Sequence, residues 1–212
     1  MSVPGWLELL ATRAPELTAA DFRWQAMPET QEREAAVLVL VGPHADHGDM
    51  LLIQRPGHMR AHAGQPAFPG GRIESGESPQ QAAIREANEE VGLDPASVTV
   101  ICALPQLWLP PSRFKVTPVL AWWHAPHEVW ASPDEVAAVH RVPIAEFVDP
   151  ANRVRVTTRS GFLGPAFRVR GMLVWGFTGG VVSQLMDVAG WSRPWDDSVI
   201  VPMPTAIEEQ PE

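Results

Sequence analysis

The first clear pattern in the chain is a pair of apolar segments. Residues 34–41 form a nearly continuous apolar run that ends at Gly42-Pro43, and residues 50–55 begin a second run after a polar interval. Short apolar runs bounded by turn residues are typical of buried β-strands. We therefore expect two paired strands joined by a loop at residues 44–49.

Similar patterns along the rest of the chain predict the remaining elements. Residues 98–104 and 114–123 predict a second strand pair, joined through a proline-rich connection. The other predicted strands are residues 139–142, 153–158 and 166–169, and the predicted helices are residues 6–12, 79–91 and 178–188. This order of elements predicts an α/β (α+β) fold in which helices flank one mixed β-sheet.

The chain is predicted to form one main domain with short additions at both ends. At 212 residues it is long enough for a sizeable core, and its 22 prolines are spread among loops without forming a linker. We assign residues 34–192 to the main domain, residues 1–33 to a helical extension packed on it, and residues 193–212 to a C-terminal tail. The last residues, 208–212, are predicted to be disordered.

The charge balance limits the classes of partner. Counts of 16 Lys plus Arg and 25 Asp plus Glu give a formal net charge of −9, the opposite of what a polymeric nucleic acid requires. A small phosphate ester fits such a protein, because a divalent cation held by carboxylates reverses the charge that the ester meets. We expect a small-molecule partner and no polymeric nucleic acid.

Cysteine content and the apolar segments predict a cytoplasmic protein. Cys102 is the only cysteine, so no intrachain disulfide can form and a zinc site built mainly from cysteine is excluded. The first residues lack a basic region followed by a long apolar stretch, and no apolar run is long enough to cross a bilayer. We expect a soluble monomer or homodimer that is not embedded in a membrane.

The predicted helix at residues 79–91 has well-marked ends and two different faces. Ser78 is a capping residue, Pro79 suits the first turn, and Gly92 suits a left-handed stop. At about 100° per residue, an apolar stripe lies opposite a face of carboxylates. The stripe contains Ile84, Ala87 and Val91, and the other face contains Glu86, Glu89 and Glu90. Such carboxylates either form a solvated face or bind a hard cation such as Mg²⁺ or Mn²⁺.

The spacing of residues around this helix resembles the signature of the Nudix hydrolase family. The matching positions are Gly71, Glu77, Arg85-Glu86, Ala87, Glu89-Glu90, Gly92 and Leu93, and none of the fixed positions departs from the signature. The resemblance implies an α/β/α sandwich and a Mg²⁺- or Mn²⁺-dependent hydrolase that cleaves a phosphoanhydride bond.

The resemblance also implies roles for the charged residues of the signature. Glu86 and Glu90 correspond to the principal metal ligands. Glu89 corresponds to a further ligand or to the base that deprotonates the attacking water. Arg85 is expected to orient a carboxylate, and Glu77 either does similar work or pairs with Arg85.

Three positions outside the helix are further candidates. Gly70 and Gly71 permit a close approach of the main chain, so Gly71 is counted with the metal site and Gly70 with the substrate site. Glu135 lies in a loop that contributes a catalytic or metal-binding carboxylate in several Nudix enzymes. The alternative for Glu135 is an acid at a helix start without any function.

The residues before the signature resemble a second pattern, found in Nudix enzymes that hydrolyse coenzyme A. The agreeing positions are Arg55, Arg60, Gly64, Phe68 and the glycine pair, whereas Ile53 and Pro56 depart from the pattern. Coenzyme A carries a diphosphate and a 3′-phosphate, and arginine binds phosphate through a two-pronged fork. The resemblance implies that Arg55, Arg60, Gly64, Phe68 and Gly70 bind the substrate. The alternative for the two arginines is a surface ion pair.

Two later segments also resemble that subfamily. Residues 110–119 could form a wall of the substrate cleft, whereas residues 174–178 are expected to serve packing and the start of the last helix. Trp108 and Trp122 lie where contact with a ligand is plausible.

The predicted function is therefore hydrolysis of coenzyme A or acyl-coenzyme A to 3′,5′-ADP and 4′-phosphopantetheine or its acylated form. One rival is a Nudix hydrolase of another nucleoside diphosphate derivative, such as ADP-ribose or NADH, which the departures at Ile53 and Pro56 favour. A second rival is a Nudix-fold binding module without catalysis. Such modules usually have a broken carboxylate set, and here the set is intact.

Overall fold

The computed structural model describes residues 3–22, 33–45, 47–56, 64–109, 113–157, 161 and 163–204. The helices are α1 (Gly5–Arg13), α2 (Pro79–Val91), α3 (Ile144–Val148) and α4 (Gly176–Val188). The strands are β1 (Arg33–Gly42), β2 (Asp49–Gln54), β3 (Pro66–Ala67), β4 (Gly70–Arg72), β5 (Val98–Ala103), β6 (Leu107–Leu109), β7 (Phe114–Trp123), β8 (Ala138–Pro143), β9 (Arg153–Thr157), β10 (Leu163–Val169), β11 (Met172–Val174) and β12 (Ile200–Pro202).

The main sheet is built around β1. Strand β7 runs parallel to β1, and β2 and β4 pair with β1 in antiparallel orientation. Strands β3 and β8 extend the sheet beyond β2, and β5 and β6 extend it beyond β7. The two predicted strand pairs are therefore confirmed. Both faces of β1 are covered, which explains why its apolar run is uninterrupted.

Helix α2 covers one face of the main sheet. Leu38 and Leu40 of β1 and Leu51 of β2 form a core on this face with Ala83 and Ala87 of α2. Alternate residues of a strand point to opposite faces, so the even-numbered residues of β1 are the ones that meet α2. This packing holds α2 close to β4. Strand β4 contains Gly70 and Gly71, which belong to the candidate site.

Helices α1 and α4 cover the opposite face and complete an α/β/α arrangement. Leu7 and Leu10 of α1 are fully buried in this core. The ring of Trp6 meets that of Trp122 edge-on, with 5.8 Å between their centres. The predicted N-terminal extension therefore contributes to the main core on this face, where α1 packs near α4.

Strands β9 to β12 form a second sheet, in the order β11-β10-β9-β12. The prediction that residues 153–158 and 166–169 extend the first sheet is wrong. Phe167 and Val174 of this second sheet enter the core that contains α4, so α4 has sheet residues packed against it. Strand β12 pairs with β9, so the region predicted as a C-terminal tail contains a strand.

The helix predictions are confirmed to within two residues at each end, whereas α3 was not predicted. Strands β3, β4, β6 and β11 were also missed, since each has two or three residues and exists only through pairing with a neighbour.

The predicted disorder of residues 208–212 concerns positions outside the described residues. Within the described part of the chain, no helix is both long and apolar enough to span a membrane.

Candidate functional site

Helix α2 has both of the ends that its sequence predicts. The side chain of Ser78 accepts a hydrogen bond from the main-chain N–H of Gln81, and the Gln81 side chain accepts one from Ser78 N–H, which is a complete capping box. Gly92 ends the helix in the left-handed region, with φ of 66°. These local contacts fix where the helix begins and ends, and they thereby fix the position of each glutamate along the helix.

Glu90 is buried, with 6% of its surface exposed. The prediction that it faces away from the core with Glu86 and Glu89 is therefore wrong. On a helical projection Glu90 lies about 20° from Ala83, at the border of the buried arc. The main-chain N–H of Gly70 donates a hydrogen bond to its Oε2 at 2.8 Å.

The environment of Glu90 disfavours its charged form. Burial is the largest cause that raises its pKa to about 8, and the negative charges of Glu86 and Glu135 act in the same direction. The hydrogen bond from Gly70 and the positive charge of Arg55 oppose that rise. A cation placed beside Glu90 would stabilise the ionised carboxylate.

Glu86 lies directly against the main chain of Gly71. A Cβ atom at Gly71 would lie 2.3 Å from the carboxylate carbon of Glu86, so no residue larger than glycine fits there without a shift. The neighbouring Gly70 has φ of 154°, and a Cβ there would lie 2.3 Å from the carbonyl oxygen of Ala36. Burial raises the pKa of Glu86, and the Arg85 guanidinium opposes this rise. The glycine pair of β4 and the residues that follow it as far as Ser78, together called the glycine loop, thus lie against the carboxylates.

Arg85 is bound to three carboxylates at once. Its Nε and Nη2 donate to the two oxygens of Glu77 at 2.9 and 3.1 Å, and its Nη1 donates to Glu86 and to Glu89 at 3.1 Å each. Its Nη2 also donates to the carbonyl oxygen of Arg72 at 3.0 Å. The expected pairing of Glu77 with Arg85 is therefore present, and Arg85 orients carboxylates. The hydrogen bond from Arg85 is the main cause that lowers the pKa of Glu77.

Glu89 lies at the outer edge of the site. Its side chain is 53% exposed, compared with 17% for Glu86. Glu89 forms an ion pair with Arg85, four residues earlier on the helix. Its place differs from that of Glu86 and Glu90, which are both in contact with the main chain of the glycine loop.

Glu135 is brought to the site by a loop that caps the end of α2. The main-chain N–H of Ser132 donates to the carbonyl of Glu90 at 2.9 Å, and Ala137 N–H donates to the carbonyl of Gln54 at 2.8 Å. The Glu135 charge is close enough to raise the pKa of Glu86 and of Glu90. Glu135 lies in a turn and not at the start of a helix, so the alternative of a helix-start acid does not apply.

The same loop contains contacts that sequence reasoning missed. Trp130 lies against Gly92, where a Cβ would be 2.2 Å from its ring, and Trp130 N–H donates to the carbonyl of Val91 at 3.2 Å. No local motif marks Trp130 or Ser132, because their partners lie about 40 residues earlier in the chain.

Arg55 and Gly64 meet between the end of β2 and the start of β3. Arg55 N–H donates to the carbonyl of Gln65 at 3.1 Å, and Gly64 N–H donates to the carbonyl of Arg55 at 3.1 Å. Gly64 has φ of 66°, which glycine adopts without strain. The charge of Arg55 lowers the pKa of Glu90, so it acts on the same site. Arg60 lies outside the described residues.

Several aromatic candidates prove to be packing residues. Phe68 is 2% exposed and belongs to the core beneath α1 and α4, so its predicted contact with substrate does not fit. Trp122 is 8% exposed and packs against Trp6, which does not fit a ligand contact either. Thr178 is buried at the start of α4, where packing was expected. Trp108 of β6 lies opposite Lys115 of β7 and is partly exposed.

The donor atoms of the site suit a hard divalent cation. They are carboxylate oxygens of Glu86 and Glu90, with Glu135 nearby, and the main-chain carbonyl of Gly71 belongs to the same loop. Among the described residues, no three His, Cys, Asp or Glu side chains converge into a complete metal site. A cation with few protein ligands and several waters, as is usual for Mg²⁺, fits this arrangement.

Comparison with known proteins places the chain in a family. A family model described as NUDIX domain matches residues 31–160. The "Uncharacterized Nudix hydrolase NudL" of Citrobacter koseri is 38% identical over 164 residues, which cover 72% of this chain and 81% of that protein. A protein of the same name from Salmonella paratyphi B is 45% identical over 117 residues, which are 54% of this chain and 59% of that protein, less than two thirds of its length.

A solved structure supports the fold. DR0079 from Deinococcus radiodurans superimposes with a TM-score of 0.50 over 76% of this chain and 89% of that chain, at 12% identity. At this identity the likeness concerns the fold alone. The family match covers more than half of the chain, and it includes the glycine loop, α2 and the Glu135 loop. The chain therefore belongs to the Nudix family of hydrolases.

Proposed function

We propose that this Nudix hydrolase cleaves the diphosphate of coenzyme A or acyl-coenzyme A and releases 3′,5′-ADP and 4′-phosphopantetheine or its acylated form. The observation that carries the proposal is the place of Arg55. Its guanidinium acts on Glu90 of the carboxylate helix, and its main chain is hydrogen-bonded to Gly64. Arg55 of the coenzyme A pattern thus acts on a carboxylate of the Nudix signature, and Gly64, another position of that pattern, is bonded to its main chain.

Glu86 and Glu90 would hold Mg²⁺ or Mn²⁺, with Gly71 and either Glu89 or Glu135 completing the protein ligands. The buried Glu90, whose pKa is raised to about 8, supports this assignment, because a cation would stabilise its ionised form. When bound, a divalent cation lowers the pKa of a coordinated water and polarises phosphoryl oxygens. Arg85 keeps the Glu86 carboxylate in place through its bond at 3.1 Å.

We assign proton abstraction from the attacking water to Glu135, with Glu89 as the alternative. Glu135 is exposed and electrostatically coupled to Glu86 and Glu90, which suits a group that accepts a proton at the site. Glu89 is occupied by its ion pair with Arg85. Replacing each with Gln in turn tests the assignment, since loss of the base should lower kcat more than KM.

Arg55 would bind the diphosphate, together with Arg60. The Nε of Arg55 is buried and has no hydrogen-bond partner among the described residues. A buried N–H without a partner costs about 1–3 kcal/mol, which a phosphate oxygen would recover. The main-chain hydrogen bonds that Arg55 forms with Gly64 and Gln65 keep its main chain in position for this contact.

The rival substrates, ADP-ribose and NADH, receive less support from the structure than from the sequence. Ile53 is fully buried in the core beneath α2, and Pro56 is also buried. Their departures from the coenzyme A pattern therefore concern packing positions. The rival of a silent binding module usually has a broken carboxylate set, whereas here Glu86 and Glu90 are both present and both contact the glycine loop.

The test is a side-by-side assay of coenzyme A, ADP-ribose, NADH and dinucleotide polyphosphates with Mg²⁺, with products identified by mass spectrometry. We expect coenzyme A to have the highest kcat/KM and to yield 3′,5′-ADP. A higher kcat/KM for any of the other substrates would reject the substrate assignment and leave the hydrolase assignment intact.

A further inference from the structure

The ring of Trp130 lies on the end of helix α2. It occupies the place that a side chain at Gly92 would take, since a Cβ atom there would overlap with the indole. Gly92 also has φ of 66°, a left-handed conformation that asparagine sometimes adopts in place of glycine. The indole ring therefore adds a second reason for glycine at this position. Trp130 itself is 61% exposed, so its ring contributes little to the core.

The main chain of Trp130 and of Ser132 is bonded to the same helix end. Carbonyl groups in the last turn of an α-helix have no partner inside the helix. In α2 those of Val91 and Glu90 accept hydrogen bonds from the N–H groups of Trp130 at 3.2 Å and of Ser132 at 2.9 Å. The segment that contains Trp130 therefore takes over the capping of α2 at the turn that carries Glu90.

A turn leads from this segment to Glu135. The N–H groups of Glu135 and Val136 donate to the carbonyl of Ser132 at 3.1 and 2.9 Å. The side chain of Val136 is buried in the core beneath α2, with 2% exposed. Glu135 thus stands three residues after a main-chain bond to the helix and directly before a buried anchor.

The indole contact adds a third point of attachment between this loop and the helix. Two hydrogen bonds to adjacent carbonyls define a line about which a loop can still rotate. The ring of Trp130 meets α2 at Gly92, beyond both bonded carbonyls, and so restricts that rotation. The rotation matters because the charge of Glu135 acts on Glu86 and Glu90, the two carboxylates that contact the glycine loop.

We propose that Trp130 is a positioning residue: its ring, seated on Gly92, holds the loop of residues 130–136 so that Glu135 stays beside the carboxylates of α2. The inference rests on the proposed function, in which Glu135 takes the proton from the attacking water. Trp130 acts through Glu135, so its loss lowers kcat and leaves KM largely unchanged. A displacement of about 1 Å at a reacting centre can lower the rate by about 100-fold.

The first experiment measures hydrolysis of coenzyme A with Mg²⁺ by W130A. We expect kcat to fall by about tenfold or more, with KM within about twofold of wild type, and W130F to recover most of the loss because it keeps a ring on Gly92. In the E135Q background the same change should lower kcat by less than about twofold, since the group through which Trp130 acts is gone. A loss as large in E135Q as in wild type overturns the proposal.

The matched control is W195A. Trp195 is partly exposed like Trp130, but its ring packs on Arg153 of the second sheet. This variant should keep kcat within about twofold of wild type, because it lies outside the loop that carries Glu135. Equal losses of kcat in W130A and W195A would also overturn the proposal.

Hydrogen exchange separates this inference from the proposed function, because it needs no turnover. In W130A the main-chain N–H groups of Ser132 and Glu135 should exchange about tenfold or more faster than in wild type, whereas W195A should leave both rates unchanged. If this result is obtained but coenzyme A is not hydrolysed, the proposed function fails and the positioning role stands. If coenzyme A is hydrolysed and W130A has the exchange rates and kcat of wild type, the positioning role fails and the proposed function stands.

Discussion

The main-chain N–H of Gly70 donates a hydrogen bond to Oε2 of Glu90 at 2.8 Å, which joins the start of the signature loop to the last turn of α2. Twenty residues separate the two groups in the sequence. The bond fixes a buried carboxylate beside the main chain of the loop, where its pKa is raised to about 8. The loop and the helix are therefore coupled through this carboxylate, and substitutions here should affect metal binding more than folding.

Replacing Glu90 with Gln should remove most of the turnover while the protein stays folded. The amide keeps the shape of the side chain and can accept the Gly70 N–H, but it supplies no charge to a divalent cation. We expect kcat to fall by at least about 100-fold, as for loss of a single strong electrostatic contact at a reacting centre. The measurement is steady-state kinetics with Mg²⁺, accompanied by a thermal melt.

The control for this variant is Glu74→Gln, which makes the same chemical change at an exposed position of the signature loop. It should retain activity within about twofold of wild type, because exposed substitutions away from a site have small effects. Similar losses in both variants would show that Glu90 has no special role.

Stability of the metal-free protein should fall as pH rises through the range between 4.5 and about 8. Glu90 has its pKa raised from 4.5 to about 8, so the folded state binds more protons than the unfolded state in that range. Its stabilising effect is complete below the unfolded pKa and is lost above the folded pKa. Thermal melts in a chelator from pH 5 to 9 measure this fall.

Two comparisons identify Glu90 as the source of this dependence. In E90Q the fall in melting temperature should be smaller, since no carboxylate remains at this position to ionise. Mg²⁺ should stabilise wild type more at pH 8.5 than at pH 6, because the cation binds the ionised carboxylate. Identical pH profiles for wild type and E90Q would contradict the assignment.

Replacing Gly71 with Ala should displace the Glu86 carboxylate. The added Cβ would lie 2.3 Å from the Glu86 carboxylate carbon, so either the loop or the side chain must move. A shift of about 1 Å at a reacting centre can lower the rate by about 100-fold. Activity and the Mg²⁺ concentration for half-maximal rate are the quantities to measure. Gly5→Ala is the control, because its Cβ meets nothing within 4 Å; an unaltered G71A enzyme would exclude close packing at this position.

Replacing Arg85 with Lys should lower kcat by about 10- to 100-fold with little change in KM, because the Arg85 guanidinium holds the carboxylates of Glu77 and Glu86 in position. Lysine cannot reproduce the fork that binds both oxygens of Glu77 at 2.9 and 3.1 Å. Glu77→Gln breaks the same pair from its other side, so the double variant should be little worse than R85K. Fully additive losses in kcat would show that the two residues act independently.

Local signals in the sequence were sufficient for the helices and the longer strands. The ends of α2 depend on Ser78, Gln81 and Gly92, which contact residues close to them in the chain, so the observed bounds match the predicted ones. The spacing of Glu86 and Glu90 within the signature likewise identified the family before the fold was known. Each of these features depends on residues close together in the chain.

Burial and long-range pairing required the tertiary structure. Periodicity placed Glu90 on the outer face, but the loop at Gly70 covers it, and no pattern within the helix reports that cover. Phe68 was assigned to substrate because it stands in a motif, whereas packing against distant helices buries it. The second sheet was missed because register between strands is set by the faces that they bury, which cannot be read from each strand alone.

The sequence by itself therefore determined the type of chemistry, through a capped helix that carries carboxylates at fixed spacing. Only the tertiary structure decided which charged side chains lie close together. Glu135 and Arg55 act on Glu90 from segments that are 45 and 35 positions away in the chain. Arg33 of β1 and Arg72 of β4 both contact the ring of Phe114 on β7. The physical reason is that helix caps and side-chain spacing are local properties, whereas electrostatic coupling between distant segments depends on the packed core that brings them together.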